Sequence, residues 1–361
     1  MKKEIRCVAM YLPQYHPINE NNEWWGMGFT EWTNVTKAKP FFPGHYQPHL
    51  PADLGFYDLR LSEVREQQAE LAREYGIYGF CYYHYWFNGK RLLERPFNEV
   101  LESGTPNFPF MLCWANENWS RRWDGQESHV LMAQNYSEED DITHIRYLLE
   151  NVFCDSRYIK IDGKPVFAVY RSDLFPDMKR TIDVWRAEAK KYGVDLYLCR
   201  FEAFTTEGKS YLEAGFDAAI DFQPKDIYRR VRPNVINLFN TLTNKLFSKM
   251  WLPNYFSYKK YSKFEAERAI VDYKRYPCVT PMWDNAARKR PNFTVLHGST
   301  PDIYEEWLQS VYDKFEPYSQ SENFIFINAW NEWAEGNHLE PDRRNGRKYL
   351  EATKRVLQKN K

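Results

Sequence analysis

The sequence lacks the short signatures that would place it among several large classes of protein. Its six cysteines, Cys7, Cys81, Cys113, Cys154, Cys199 and Cys278, form no CxxC pair, and five lie inside apolar runs. They read as buried free thiols of a reducing compartment, not as a zinc site or a disulfide frame. No GxGxxG follows the first apolar run and no GxxxxGK[ST] occurs, so dinucleotide and P-loop sites have no support. GxSxG and HExxH are also missing. His16, His84 and His338 match no metal-ligand spacing, and neither a metal nor a cofactor is expected. Charge of one sign is missing too: 49 Lys and Arg balance 49 Asp and Glu, which gives no reason to expect nucleic acid. No run approaches the roughly 20 apolar residues of a membrane span. The apolar run in MKKEIRCVAMYLPQYHP is short and broken by Pro and His, unlike a secretion signal. The expected location is the cytoplasm, either free or at the inner face of the membrane.

What the sequence has in excess is aromatic side chains, 17% of the chain, with 13 Trp and 26 Tyr. Each offers a flat apolar face and, in Tyr and Trp, a polar handle. That combination suits a sugar ring, with its C–H face and rim of hydroxyls. Ordinary core packing is the competing use for any single one of them.

Eight apolar runs read as strands buried on both faces: 5–12, 77–86, 109–116, 165–171, 194–201, 216–222, 276–283 and 323–330. Amphipathic stretches at 61–76, 137–153, 176–193, 300–315 and 347–359 read as helices between them. Ser137 begins one as a cap with acids in its first turn. Strands alternating with helices predict an α/β fold, a single-domain (β/α)8 TIM-type barrel, with a doubly wound open sheet as the alternative. Two segments fall outside the repeat. Residues 13–60 form a long loop after the first strand, rich in Pro, Gly, Asn and Trp, and loops of that length are usually functional. Residues 224–261 form an insertion between strands six and seven. From Lys225 to Lys260 it holds eight basic residues against Asp226 alone, together with Phe239, Leu246, Phe247, Trp251 and Tyr255. It reads either as a solvated helical hairpin capping the barrel or as a peripheral contact with an anionic membrane.

A barrel of this type carries its chemistry at the C-terminal ends of its strands. Here nearly every end turns polar and aromatic. Tyr15 and His16 follow strand one. Tyr83, His84 and Trp86 end strand two. Trp114, Asn116, Glu117 and Trp119 surround the end of strand three. Strand four gives Arg171, strand five Glu202, strand seven Trp283 and Asp284, and strand eight Asn331, Glu332, Trp333 and Glu335. Trp32 and Glu31 lie in the long loop. Carboxylates among aromatics are costly unless paired or used. Glu332 and Glu335 therefore read either as a working acid and base or as structural groups, one capping a helix and one paired with Arg343 or Arg344. Glu340 before Pro341 reads as a structural turn, and Arg121-Arg122-Trp123-Asp124 as a binder of anionic sugar or an internal ion-pair group.

The runs YLPQYHPINENNEWWGMGFTEWTNV, GFCYYHYWFNGKRLLERPFNEVL, FPFMLCWANENWSRRWDG and NAWNEWAEGNHLEPD resemble the WbsX family of bacterial surface-polysaccharide and O-antigen gene clusters, often labelled glycosyltransferases. That family is similar to glycoside hydrolase family 99, the endo-α-mannosidases and mannanases. The resemblance implies a (β/α)8 barrel with two acids on a motif reading roughly N-E-W-x-E-G, here Asn331 to Gly336. It implies Glu332 as general base and Glu335 as general acid in a retaining reaction through a 1,2-anhydro sugar. The base takes the proton of the sugar 2-hydroxyl and the acid protonates the glycosidic oxygen. Ala334 departs from the His often found in the hydrolase motif, which bears on mannose specificity. The function expected is retaining, endo-glycosidase-like chemistry on an α-linked oligosaccharide or polysaccharide. A glycosyltransferase of O-antigen assembly and a non-catalytic glycan-binding barrel are the alternatives.

Overall fold

The computed structural model describes residues 3–121, 126–203, 208–231, 233–247, 252–289 and 293–358. All eight apolar runs contain strands: β1 (Arg6–Tyr11), β2 (Ile77–Phe87), β3 (Phe110–Trp114), β4 (Lys164–Val169), β5 (Tyr197–Glu202), β6 (Ala218–Asp221), β7 and β8 (Phe324–Ile327). β7 is two short pieces, Arg275–Tyr276 and Cys278–Val279, broken at Pro277, which lacks an N–H for the ladder. The first piece pairs with β6 and the second with β8, while β8 also pairs with β1. All these pairings are parallel, and the barrel closes through the break in β7. Trp283 at the end of the seventh run and Asp284 after it leave the barrel and join a side sheet with Thr294–His297 and Asn254–Ser257.

Among the described residues, the helices of eight residues or more are α1 (Ser62–Glu74), α2 (Arg95–Ser103), α3 (Glu138–Asn151), α4 (Met178–Lys191), α5 (Val235–Phe247), α6 (Tyr258–Glu267), α7 (Pro301–Lys314) and α8 (Lys348–Gln358). Ser137 accepts the Asp140 N–H at the start of α3, with four acids in its first turn. Asp177 and Thr300 cap α4 and α7 in the same way. Each side chain satisfies an N–H that the helix leaves unpaired. α2, α5 and α6 lie outside the five stretches read as helices from periodicity.

Strand alternation sorts the aromatic excess into two layers. On β2, Tyr83 and Tyr85 point into the mouth of the barrel, while Tyr82, His84 and Trp86 pack outward. Gly79 in the same strand is required by space. A Cβ there would lie 2.6 Å from the carbonyl oxygen of Pro109. Five of the six cysteines are buried thiols, but Cys154 at the surface end of α3 is exposed, which corrects the reading of all six as buried. Among the described residues, no helix is long and apolar enough to cross a membrane.

Candidate active site

After β8 the chain passes through a cis Asn328–Ala329 peptide and is clamped onto the end of β1. The Asn331 side chain accepts the Leu12 N–H at 2.7 Å and donates to the Leu12 carbonyl at 3.0 Å, standing in for a strand partner. The Tyr15 hydroxyl donates to the Asn331 carbonyl and accepts the Trp333 N–H at 3.3 Å. Residues Trp333–Glu335 then make one 3-10 turn, closed by Gly336 at φ +53°. Only glycine fits there, because a Cβ would meet the Asp284 carbonyl oxygen at 2.9 Å in a left-handed backbone that side chains disfavour. This turn delivers Glu332 and Glu335 to one wall of an open cleft of about 690 Å³ at the barrel mouth.

The other walls come from many elements. β2 gives Tyr83 and Tyr85, and the residues after β3 give Glu117, Asn118 and Trp119. The long first loop gives Gln14 and Trp25, Tyr170 follows β4, and Trp283 stands at the side sheet. The rim of the insertion gives Lys225, Ile227, Tyr228 and Arg229. The lining thus joins aromatic faces to charges of both signs.

The electrostatic centre is Arg288. Its guanidinium donates to Glu31 at 2.5 Å, to Glu332 at 2.9 Å and to Glu335 at 2.7 Å. Three carboxylates thus share one cation, an uneven ratio in a buried site. Burial pushes Glu332 up to about 8, and the neighbouring Glu335 and Glu31 add to this against the pull of Arg288. Burial also raises Glu31, against the pull of the same guanidinium. Like charges this close cannot all be ionised, so the cluster holds at least one proton near neutral pH. Arg288 itself stays charged, since the three acids outweigh the effect of its burial. This differs from the structural alternative, in which one acid would cap a helix and the other pair with Arg343 or Arg344.

The candidates from the strand ends divide by strand phase. Tyr83, Glu117, Trp119, Trp283, Glu332 and Glu335 line the cleft. The structure places the others outside its wall, a correction to reading them as direct contacts. His84 bonds His144 at 3.0 Å, Trp86 donates to Asp140 at 2.9 Å, and Trp114 donates to the Trp86 carbonyl at 3.2 Å, all in the layer between β-strands and helices. Burial pushes His84 down to about 3, so it is a neutral core histidine. His16 is buried against the Pro13 carbonyl and pushed down to about 4 by burial. Tyr15 packs at a tilt on Trp32 and Trp32 on Trp333, whose ring stacks on His338 with centres 3.7 Å apart. Asn116 ties the ends of β3 and β4 through the Arg171 backbone, and Asn331 ties β8 to β1. Arg171 pairs with Glu117 at 2.7 Å and so positions a cleft acid from behind. Glu202 is fully buried among Arg275, Lys225 and Arg200. Asp284 accepts from His45 at 2.6 Å and Gln47 at 2.7 Å and lies under Gly336. Arg121-Arg122-Trp123-Asp124 falls on residues that include 122–125, outside those described.

Arg288 was missed by sequence reading. The only signal was a basic run, Arg288-Lys289-Arg290, just beyond the strand-end pair Asp284-Asn285. Among the described residues, no group of three or more His, Cys, Asp or Glu is placed to hold a metal ion.

The family model described as Glycosyltransferase WbsX matches residues 7–353. The chain belongs to the WbsX family. It is also 41% identical over 352 residues to an uncharacterised protein, WxcX, of Xanthomonas campestris pv. campestris strain B100. That match covers 97% of this chain and 49% of the relative, so the chain spans about half the length of the curated relatives it matches. Among solved structures, a family 99 endo-α-mannosidase from Bacteroides thetaiotaomicron superposes with a TM-score of 0.60. It covers 99% of this chain and 98% of its own at 12% identity. A glycoside hydrolase-like protein superposes with a TM-score of 0.58 at 14% identity, covering 98% of this chain and 94% of its own. At these identities the likeness is one of fold, and it agrees with the (β/α)8 barrel expected for this WbsX chain.

Proposed function

We propose that this WbsX chain is a glycan-active enzyme in which Glu332 and Glu335 act as a proton-sharing acid and base on an α-linked, mannose-like glycoside. The observation that carries this reading is the placement of both carboxylates on one wall of an aromatic cleft, tied to a single shared guanidinium. Structural acids are usually satisfied one by one. Here three acids compete for Arg288, which leaves a proton to be exchanged. Glycoside chemistry needs that proton, delivered to a leaving oxygen while a second group removes another.

The pair also explains how a strongly raised acid serves as a base. Burial keeps Glu332 protonated near neutral pH, the wrong state for a base. When the shared proton sits on Glu335, one like charge disappears beside Glu332, while Arg288 still favours its ionised form. The working state is therefore Glu335 protonated and Glu332 ionised on Arg288. In it Glu332 removes the proton of the sugar 2-hydroxyl, whose oxygen attacks the anomeric carbon. Glu335 gives its proton to the departing glycosidic oxygen. Water then opens the anhydro sugar as Glu335, now a base, takes a proton from it. The proton returns from Glu332 to the 2-oxygen, and the pair is restored.

A second reading, glycosyl transfer from an anionic donor, is favoured by the family's own description and by the exposed cation Arg229 at the cleft rim. The two readings separate when the protein is incubated with bacterial surface oligosaccharides, free and lipid-linked, with and without nucleotide sugars. Cleavage without nucleotide supports hydrolysis, and product that forms only with a nucleotide donor overturns it. Glycan binding unchanged in Glu332→Gln and Glu335→Gln, with no turnover in the parent protein, would make the barrel a binding module.

A further inference from the structure

The insertion contains a helix that is turned inside out. α5 buries Asn237, Asn240 and Thr243 against the body of the protein. Its apolar side chains Val235, Leu238, Phe239, Leu242 and Leu246 face away, between 43% and 82% exposed. Their spacing, at 235, 238, 239, 242 and 246, forms one stripe along the helix. A helix packed by the hydrophobic effect shows the reverse arrangement.

The inward polar face is well anchored, so the orientation is specific. Asn237 donates to the Tyr255 carbonyl at 2.9 Å and accepts its N–H at 3.0 Å. Asn240 does the same to Leu252, donating at 2.6 Å and accepting at 3.0 Å. Asn234 adds a second bond to the Tyr255 carbonyl at 3.0 Å. These asparagines use their amides as a strand partner for the chain leading into Asn254–Ser257. A slide or rotation of α5 would break all of these bonds, so the apolar stripe stays outward.

An exposed stripe of this length marks a surface that meets something apolar. The charges around it choose among the occupants. From Ile227 to Lys260 the sequence has seven Lys and Arg and no Asp or Glu. Lys245 on α5, Arg229 before it and Lys259 and Lys260 beyond it are exposed. A second copy of the chain would bring two such cationic fields together. An anionic lipid surface complements both features, since it takes apolar side chains into its acyl boundary and attracts cations at its headgroups.

We infer that α5 is an interfacial helix that docks the protein on an anionic membrane surface through Val235, Leu238, Phe239, Leu242 and Leu246. The stripe is continuous in the chain with the cleft, because Ile227, Tyr228 and Arg229 of the short helix Ile227–Arg230 line the cleft rim. Docking would bring the cleft mouth to the lipid headgroups, where a lipid-linked glycan presents its sugars. This consequence rests on the function proposed above; the docking does not.

The test is flotation of the whole chain with vesicles of phosphatidylcholine alone and of phosphatidylcholine mixed with phosphatidylglycerol. The parent protein should float with the mixed vesicles, less so as salt rises. The triple variant Leu238→Ser/Leu242→Ser/Leu246→Ser changes only exposed side chains and should partition roughly tenfold less or weaker still. An unchanged circular dichroism spectrum and melting temperature show that it is folded. The inference is overturned if the parent stays with the free protein, or if the triple variant floats as the parent does. Equal flotation with neutral vesicles overturns the choice of an anionic surface. Self-association of the parent that the triple variant abolishes, without vesicle binding, assigns the stripe to a second copy and also overturns it. Because the readout needs no turnover, its failure is separate from failure of the glycan reading.

Discussion

Two regions of the segment after β8 hold buried carboxylates, and they are built differently. Glu340 is 2% exposed and accepts from the Trp333 indole at 2.6 Å, Gln68 at 2.6 Å and the Tyr57 hydroxyl at 2.8 Å. Glu332 is 5% exposed but shares one guanidinium with two other acids and faces the cleft. Burial raises both, Glu340 to about 7 and Glu332 to about 8. A raised carboxyl is therefore not enough to identify a working acid. What separates the two is whether the group has donors of its own and whether substrate can reach it. Glu340 has its own donors and is structural. Glu332 has only a share of Arg288 and an open side.

The largest effect that would break this comparison is at Arg288. Arg288→Met removes the cation that lets Glu332 ionise while Glu335 keeps the proton. Turnover should fall by roughly a hundredfold or more, the usual scale for losing effective acid–base catalysis. Carboxyls that lose a neighbouring cation become harder to ionise, so the acidic limb of the pH–rate profile should move to higher pH. A profile that keeps its shape, with activity unchanged, would show that Arg288 has no part in the proton sharing.

Glu340→Ala should act on stability. It leaves the donors of Trp333, Gln68 and Tyr57 buried without an acceptor, at a cost on the order of 3 kcal/mol. Chemical denaturation checks this, and turnover per folded molecule should be nearly unchanged.

The smallest of these effects has the opposite sign. A glutamate raised in the folded state binds its proton more tightly there than in the unfolded chain. Folding stability is therefore lost as pH rises from the unfolded value, roughly 4.3, towards about 8. Glu332→Gln mimics the neutral form and should be more stable than the parent by on the order of 1 kcal/mol near neutral pH. The difference should vanish below about pH 4, where both forms are neutral. Melting curves across that range measure it, and a Gln variant less stable at neutral pH would place Glu332 with Glu340 as a structural acid.

The fold was legible because strands buried on both faces leave near-continuous apolar runs, and each of the eight runs contains a barrel strand. The seventh was misplaced, since Pro277 breaks the ladder and Trp283–Asp284 turns away into the side sheet. The cleft was legible only by halves. At a strand end, neighbouring side chains point to opposite faces, so Tyr83 enters the cleft while His84 and Trp86 join the helix layer. Sequence shows that such residues gather at the mouth but not the phase of each. Arg288 was hidden because it belongs to no strand end; a 3-10 turn at Asn285–Ala287 carries it back over the acids. The insertion stayed open for a third reason. Its charge fits a solvated hairpin and a membrane contact alike, and the sequence does not show that asparagines serving as strand partners turn the apolar side of α5 outward.

The most direct test compares turnover of a cleaved glycan by the parent protein, Glu332→Gln, Glu335→Gln and Glu340→Gln, each corrected for the folded fraction and for glycan binding. The account predicts that the first two variants bind glycan but lose turnover by roughly a thousandfold, while Glu340→Gln keeps most of it. Turnover retained in either cleft variant, or lost equally in all three, would contradict it.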